Sequence, residues 1–217
     1  MKIIQMVTCV LGAGLVLGLA SRDAVACGGE WFPIVEVDPR IAGVARAEQA
    51  LSDGRHTAAA GSVIRMIPHI KTLKGKPGSL VARAERVLAV ALARSDAKLA
   101  VAREIPREIS GTWLGKNEDE RRSNIDFSIA VLRRQASQNA DDSALRTELA
   151  EALALSVEHR GEAREILEEL ARRDLVSSPQ GYRALALLRS AAGDSAGTDL
   201  AMRRCEAMSA SKATCHA

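Results

Sequence analysis

The feature that most constrains this chain is a succession of short helix-like segments, several of them ended by glycine or proline. Apolar residues recur every three or four positions within them, as on one face of a helix. Only residues 34–37 alternate in the manner of a strand, and they do so weakly. The pattern predicts helices over 40–52, 56–67, 79–93, 97–105, 117–138, 141 or 142 to 159, 162–173, 178–192 and 196–208.

Capping residues mark several of these boundaries. Asn117 is followed three residues later by Glu120, which is the spacing of a capping box. Ser178 precedes Pro179, which places an N-cap directly before a proline at the first helical position. Short spacers between helices favour antiparallel neighbours. We therefore expect an all-α fold of antiparallel helical hairpins.

The composition supports this class and excludes others. Alanine supplies roughly one residue in six and favours helices that approach each other closely. The chain contains only two Trp, two Phe and one Tyr, too few for a base-stacking or carbohydrate-stacking surface. The net charge is only +3, and basic and acidic residues are interspersed. Nucleic-acid binding is therefore not expected.

A fixed spacing recurs among the helices. Gly161 and Gly193 lie 32 residues apart, each between two amphipathic segments. The same offset before each glycine holds a leucine followed by alanine: Leu153, Ala154, Leu185 and Ala186. In the N-terminal hairpin, Gly54 has Ala47 at this offset, although Arg46 replaces the leucine.

This spacing resembles the tetratricopeptide repeat, which has a leucine–small pair, a turn glycine and a proline near the end of the repeat. Pro179 lies close to that last position. The resemblance covers residues 142–209 and 40–67, whereas 78–138 shows no clean period and most consensus aromatic positions are small. It implies a short α-solenoid of stacked hairpins. The alternative is an unrelated helical bundle.

The N-terminal residues have the layout of a secretory signal. Lys2 precedes an apolar run over 3–20, and Ala24-Val25-Ala26 provides a small-x-small cleavage site. A retained membrane anchor is the alternative. The expected organisation is a signal peptide (1–26), an extended arm (27–39), a helical repeat domain (40–209) and a C-terminal tail (210–217). We expect export to the periplasm or outer membrane of a bacterial envelope.

Three cysteines follow that cleavage site. Cys27 fits an ordinary signal-peptidase product, but residues 24–27 also resemble a degenerate lipobox, with alanine where leucine is usual. Cys205 and Cys215 are ten residues apart and can close a disulfide loop, which would leave Cys27 for a lipid. Alternatively, Cys27 pairs with a C-terminal cysteine. A metal site of Cys205, Cys215 and His216 has a poor ligand spacing.

Catalytic motifs are not evident in the sequence. Its histidines lack metal-ligand spacing, and nucleophile elbows, phosphate loops and calcium loops do not occur. We expect a non-enzymatic envelope scaffold that requires no cofactor and binds a protein or peptide of unknown identity. Membrane contact is expected only through a lipid on Cys27. The alternatives are a periplasmic enzyme, such as a cell-wall hydrolase, and a purely structural lipoprotein.

Overall fold

The computed structural model describes residues 38–99, 113–211 and 213–216. These residues contain no strand, which confirms the all-α prediction. They form the following helices: α1 Pro39–Ser52, α2 His56–Met66, α3 Leu80–Arg94, α4 Glu118–Gln138, α5 Ser143–Ala154, α6 Arg160–Arg172, α7 Pro179–Ala191, α8 Ser195–Met208 and α9 Ala213–His216. Short 3₁₀ turns lie at Ile70–Thr72 and Val157–His159.

Side-chain caps begin most of the longer helices, as their sequences predicted. Ser178 accepts a hydrogen bond from the backbone N–H of Gly181 at 3.0 Å. Asn117 accepts one from the N–H of Glu120 at 2.8 Å, and the Glu120 carboxylate accepts one from the N–H of Lys116 at 2.9 Å. This variant of the capping box satisfies one N–H donor in the first turn of α4 and one from Lys116, the residue before the N-cap.

The prediction that Gly161 forms a turn is wrong. Helix α5 ends at Ala154, and the chain reverses through the 3₁₀ turn Val157–His159. Helix α6 then begins at Arg160, so Gly161 lies in its first turn. A 3₁₀ turn uses negative φ angles and needs no glycine, which explains why the reversal left no glycine signal. Of the predicted helix 97–105, residues 97–99 are not helical and the rest lies outside the described residues.

Four helices end in a left-handed residue. After α1, α3, α6 and α7, the residues Gly54, Asp96, Asp174 and Gly193 have φ of 75°, 53°, 56° and 77°. In each case the next backbone N–H donates to the carbonyl five residues earlier, as Asp194 does to Arg189 at 3.0 Å. This is the Schellman motif, which favours glycine. Two of the four positions nevertheless hold aspartate.

Each helix packs on its neighbours in the chain, and the odd-numbered helices α1, α3, α5 and α7 also contact one another in succession. Alanines at these contacts are buried completely, including Ala47, Ala89 and Ala150. Helix α3 is central, because ten of its fifteen residues are buried and two apolar clusters meet on it. Small side chains let these helices approach closely, which compensates for the shortage of aromatic residues.

A buried amide of α4 contacts the described residues Ala97, after α3, and Trp113, before α4. The Asn124 side chain is fully buried and donates to the carbonyls of Ala97 and Trp113, each at 3.1 Å. Trp113 packs edge-on against Phe127, with ring centroids 5.3 Å apart. Lys71 lies over the other side of this cluster, 4.1 Å from the Trp113 ring. These contacts link the described residues Ala97 and Trp113 to α4.

The predicted disulfide between Cys205 and Cys215 is present, with a Cα–Cα distance of 6.0 Å. It ties the short helix α9 to α8, and α9 also contacts α7. His216 and Glu206 pair across the same loop at 2.8 Å. The alternative pairing of Cys27 with a C-terminal cysteine is excluded while this bond is formed.

Among the described residues, no helix combines the length and the apolar character needed to cross a membrane. The predicted signal peptide, the cleavage site before Cys27 and the extended arm up to residue 37 lie outside the described residues.

Candidate binding groove

A groove of about 760 Å³ opens where α3, α5 and α7 lie side by side. Its walls are the last turn of α3, the C-terminal half of α5 and one face of α7, where residues recur every three or four positions. Arg121 of α4 and Arg160 of α6 complete the rim. The apolar part is Ala154, Leu155, Ala184, Leu187, Leu188 and Ala191. We call this surface the groove.

A buried ion pair forms part of the wall. Arg94 of α3 donates from Nε and from one terminal nitrogen to the two carboxylate oxygens of Glu151, at 2.8 and 3.1 Å. The Ser178 hydroxyl, at the N-cap of α7, also donates to Glu151. Only 4% of the Glu151 side chain is exposed. Burial of a charge is tolerated only with such complete pairing, so this network fixes α3, α5 and α7 relative to one another.

A second pair lies about one turn away on α5. Arg86 donates to both oxygens of Glu148, at 2.7 and 3.0 Å. Burial raises the pKa of the Glu148 carboxyl above its usual range, against the opposing effect of Arg86. Both glutamates are thus held in bidentate contacts with arginine. The paired carboxylates therefore hold α3 and α5 together.

Arg121 holds the turn that follows α3, at one corner of the groove. Its guanidinium donates to the Asp96 carboxylate at 2.7 Å and to the Asp96 carbonyl at 3.2 Å. Asp96 and Ala97 both have left-handed φ angles. Gly115 closes the corner, since a Cβ there would lie 2.4 Å from the Ala97 carbonyl oxygen. The strained backbone after α3 is therefore kept in place by a side chain from α4 and by a glycine.

Arg160 differs from the other groove arginines. It is the first residue of α6 and is exposed. Within the described part of the chain, its side chain makes no ion pair or hydrogen bond. A positive charge at a helix N-terminus opposes the helix dipole, at a cost of about 0.3–1 kcal/mol. Helix stability therefore gives no reason for an arginine at this position.

The apolar surface of the groove is open to solvent at Leu187, whose exposure is 61%. Leu188 beside it is buried, and Leu155 is half-buried. A smaller cleft of about 150 Å³ shares Leu155 and Arg121 and contains the exposed Val157. The groove is thus bordered by leucine and valine side chains that no other residue covers completely.

His56 lies near the same ion pair, at the start of α2. Its Nε2 atom is buried and has no hydrogen-bond partner among the described residues. Burial lowers the pKa of its imidazole, and the charge of Arg94 lowers it further, whereas Glu151 raises it. The ring is thus held in its neutral form more strongly than a solvated histidine.

All but one of the residues predicted from the repeat spacing fall into three groups. Ala47, Leu153, Leu185 and Ala186 are buried in the helix contacts, and Gly54 and Gly193 are the left-handed ends of α1 and α7. Ala154 is half-buried and lines the groove. Gly161 belongs to none of these, because it is an exposed residue of α6. Counted from the N-caps Asp142 and Ser178, Leu149 and Ala150 are the residues of α5 that correspond to Leu185 and Ala186.

The groove residues Arg94, Glu151, Arg160 and Leu187 were not predicted. The first two meet across 57 residues of sequence, a contact that helical periodicity cannot indicate. Arg160 was hidden by the error at Gly161, because a helix running to His159 would place it at a C-terminus, where cations are favourable. The one signal in the sequence that could have indicated the groove was Leu187, a leucine on the polar side of α7.

Among the described residues, no three His, Cys, Asp or Glu side chains are placed to share a metal ion. Cys205 and Cys215 are joined to each other, so neither offers a thiolate to the proposed ligand set with His216.

Comparison with known proteins adds no assignment: no family model, no curated protein and no solved structure matches this chain.

Proposed function

We propose that this protein is a non-enzymatic helical scaffold whose groove binds a peptide segment of another protein. We also propose that its hairpins stack in the manner of tetratricopeptide repeats. The successive contacts α1–α3–α5–α7 support this arrangement, since the first helices of stacked hairpins touch one another and form one surface. The groove lies on that surface, between α3, α5 and α7.

The observation that carries the proposal is the exposed Leu187 in a groove of ligand-binding size. Binding sites have volumes of about 300–1,000 Å³, with an apolar surface and a few polar groups. Leu187 is 61% exposed, so a partner that covers its side chain gains the free energy of burying apolar surface. A surface this open fits the side chains of a peptide better than an enclosed small molecule.

The same contacts favour binding over catalysis. A general acid or base must exchange a proton with its substrate, but Glu148 and Glu151 each place both oxygens on an arginine. We therefore retain the non-enzymatic proposal over a cell-wall hydrolase.

Export to a bacterial envelope remains part of the proposal, and it rests on the sequence of residues 1–27. The mass of the mature N-terminus tests it. A chain that begins at Cys27, with or without a lipid, is the expected result, and a chain that retains Met1 in the envelope fraction would contradict it.

A peptide library tests the binding proposal without assuming a ligand. We expect panning on the full chain to select peptides that bind wild type and bind Leu187→Ser at least about tenfold more weakly, since covering a leucine contributes about 1.5–3 kcal/mol. Leu200→Ser is the matched control, because Leu200 is 51% exposed on α8 and does not line the groove. It should bind like wild type.

Two results would contradict the proposal. One is the absence of any selected peptide that binds the purified protein in solution. The other is equal binding of the selected peptides by wild type and by Leu187→Ser, which would place the contact elsewhere on the molecule.

A further inference from the structure

We propose that the partner segment is acidic and carries leucine or a similar aliphatic side chain, an inference that rests on the proposed peptide-binding function. It identifies the partner by its chemistry: aliphatic side chains to cover Leu187 and Leu155, and carboxylates to meet the arginines of the rim.

The charge of the groove is the first reason. Among the described residues, its lining includes the carboxylates of Asp96 and Glu151 and the guanidinium groups of Arg94, Arg121 and Arg160. Both carboxylates are already paired, Glu151 with Arg94 and Asp96 with Arg121. Among these described residues, Arg160 therefore adds a positive charge that neither lining carboxylate pairs, and this charge attracts an acidic segment and repels a basic one.

The second reason is the position of Arg160. Its charge opposes the dipole of α6, and its guanidinium forms no ion pair with a carboxylate of the described residues. A partner carboxylate at this point would meet both the guanidinium and the positive N-terminus of the helix. Arginine suits this role, because its planar guanidinium binds a carboxylate through two parallel hydrogen bonds.

The third reason is the order of the groove face on α7. Arg183 and Leu187 are four residues apart and therefore neighbours on one side of the helix, with Gln180 in line before them. Polar and apolar positions thus lie in one row along this wall of the groove. A segment that carries both acidic and aliphatic residues can contact Arg160 and Leu187 at once.

Synthetic peptides of about 15 residues test this chemistry. The first carries a leucine stripe with glutamates, the second has lysine for every glutamate, and the third keeps the glutamates with alanine for leucine. We expect the first to bind the full-length protein, by fluorescence anisotropy, at least about tenfold more tightly than either of the others. Raising the salt from about 50 to about 300 mM should weaken it.

Charge variants locate the contact. Arg160→Glu should weaken binding of the acidic peptide by about fivefold or more, and the matched control Arg203→Glu, an exposed arginine of α8 outside the groove, should not. Arg160→Glu should also raise Tm by about 1–4 °C, because it removes the unfavourable charge from the start of α6. A purely structural role of Arg160 would lower Tm instead and would overturn its assignment.

The outcomes separate the two proposals. Equal or tighter binding of the lysine peptide, or binding that Arg160→Glu and Arg203→Glu weaken equally, would overturn the acidic partner while library peptides still depend on Leu187. Loss of the Leu187 dependence for every peptide would instead overturn the binding function itself.

Discussion

At the scale of single residues, the helix ends show where the chain is less stable than it could be. The left-handed positions after α1 and α7 hold glycine, but those after α3 and α6 hold Asp96 and Asp174. Side chains with a Cβ adopt this conformation at a cost, and an aspartate at a helix C-terminus also opposes the dipole. Asp96 is compensated by its ion pair with Arg121 at 2.7 Å. The Asp174 side chain, by contrast, is 71% exposed and makes only longer contacts, 3.7 Å to Arg204 and 3.4 Å to the Tyr182 hydroxyl.

Asp174→Gly should therefore raise the free energy of unfolding by about 0.5–1 kcal/mol, measured by urea denaturation. Gly193→Ala is the reciprocal change, and it should lower that free energy by about 1 kcal/mol, since no atom lies near the added Cβ and only the backbone conformation matters. A loss of stability in Asp174→Gly would show that its contacts with Tyr182 and Arg204 outweigh the strain.

His56 predicts how stability depends on pH. Burial lowers the pKa of its imidazole in the folded protein, so the unfolded chain binds the proton more tightly. The stability from the neutral ring is present above the unfolded pKa of about 6.5 and is lost as the pH falls through the lower, folded value. Wild type should therefore lose more unfolding free energy between about pH 7 and about pH 5 than His56→Phe. If the unfolding free energies of wild type and His56→Phe change with pH in parallel, this prediction is wrong.

At the scale of helices, arginine–carboxylate pairs join elements that are far apart in the sequence. Arg94–Glu151 and Arg86–Glu148 link α3 to α5, Arg134–Glu85 links α4 to α3, and Arg189–Glu168 links α7 to α6. The contribution of each pair to the free energy of unfolding depends on its burial, because exposed pairs contribute little and buried pairs are costly to break.

Glu151→Ala should lower the free energy of unfolding by about 3–5 kcal/mol, because it leaves Arg94 buried without a partner. The control is Glu162→Ala, which removes an exposed pair with Arg133 and should change stability by less than about 1 kcal/mol. If Glu151→Ala does not fold, Glu151→Gln replaces it in the test. Glu151→Gln keeps the shape of the side chain and should lose less unfolding free energy. If Glu151→Ala and Glu162→Ala lower the free energy of unfolding by equal and small amounts, the Arg94–Glu151 pair does not stabilise the contact between α3 and α5.

Helix boundaries were predictable where capping chemistry is local. Asn117, Ser178 and the left-handed glycines Gly54 and Gly193 mark α4, α7 and the ends of α1 and α7 to within a residue or two. The reversal before α6 was not predictable, because a 3₁₀ turn has no special residue and Gly161 supplied a false signal. The groove could not be found from sequence, since it depends on contacts between helices and on the true start of α6.

At the scale of the whole molecule, the alanines buried between helices and the ion pairs around the groove serve the same arrangement. Fully buried small side chains bring α3, α5 and α7 together, and the network of Arg94, Glu151 and Ser178 fixes their positions. A rigid wall of this kind leaves its open apolar and basic side chains preorganised for a partner. The disulfide at α9 supports the far side of α7 and α8.

Hydrogen–deuterium exchange of the full chain, with and without the acidic leucine peptide, tests the central claim most directly. Bound peptide should slow exchange in residues 151–160 and 180–191, which line the groove, and leave the exposed helix 195–208 unchanged. Protection confined to 195–208, or no protection while the peptide is bound, would contradict a binding site between α3, α5 and α7.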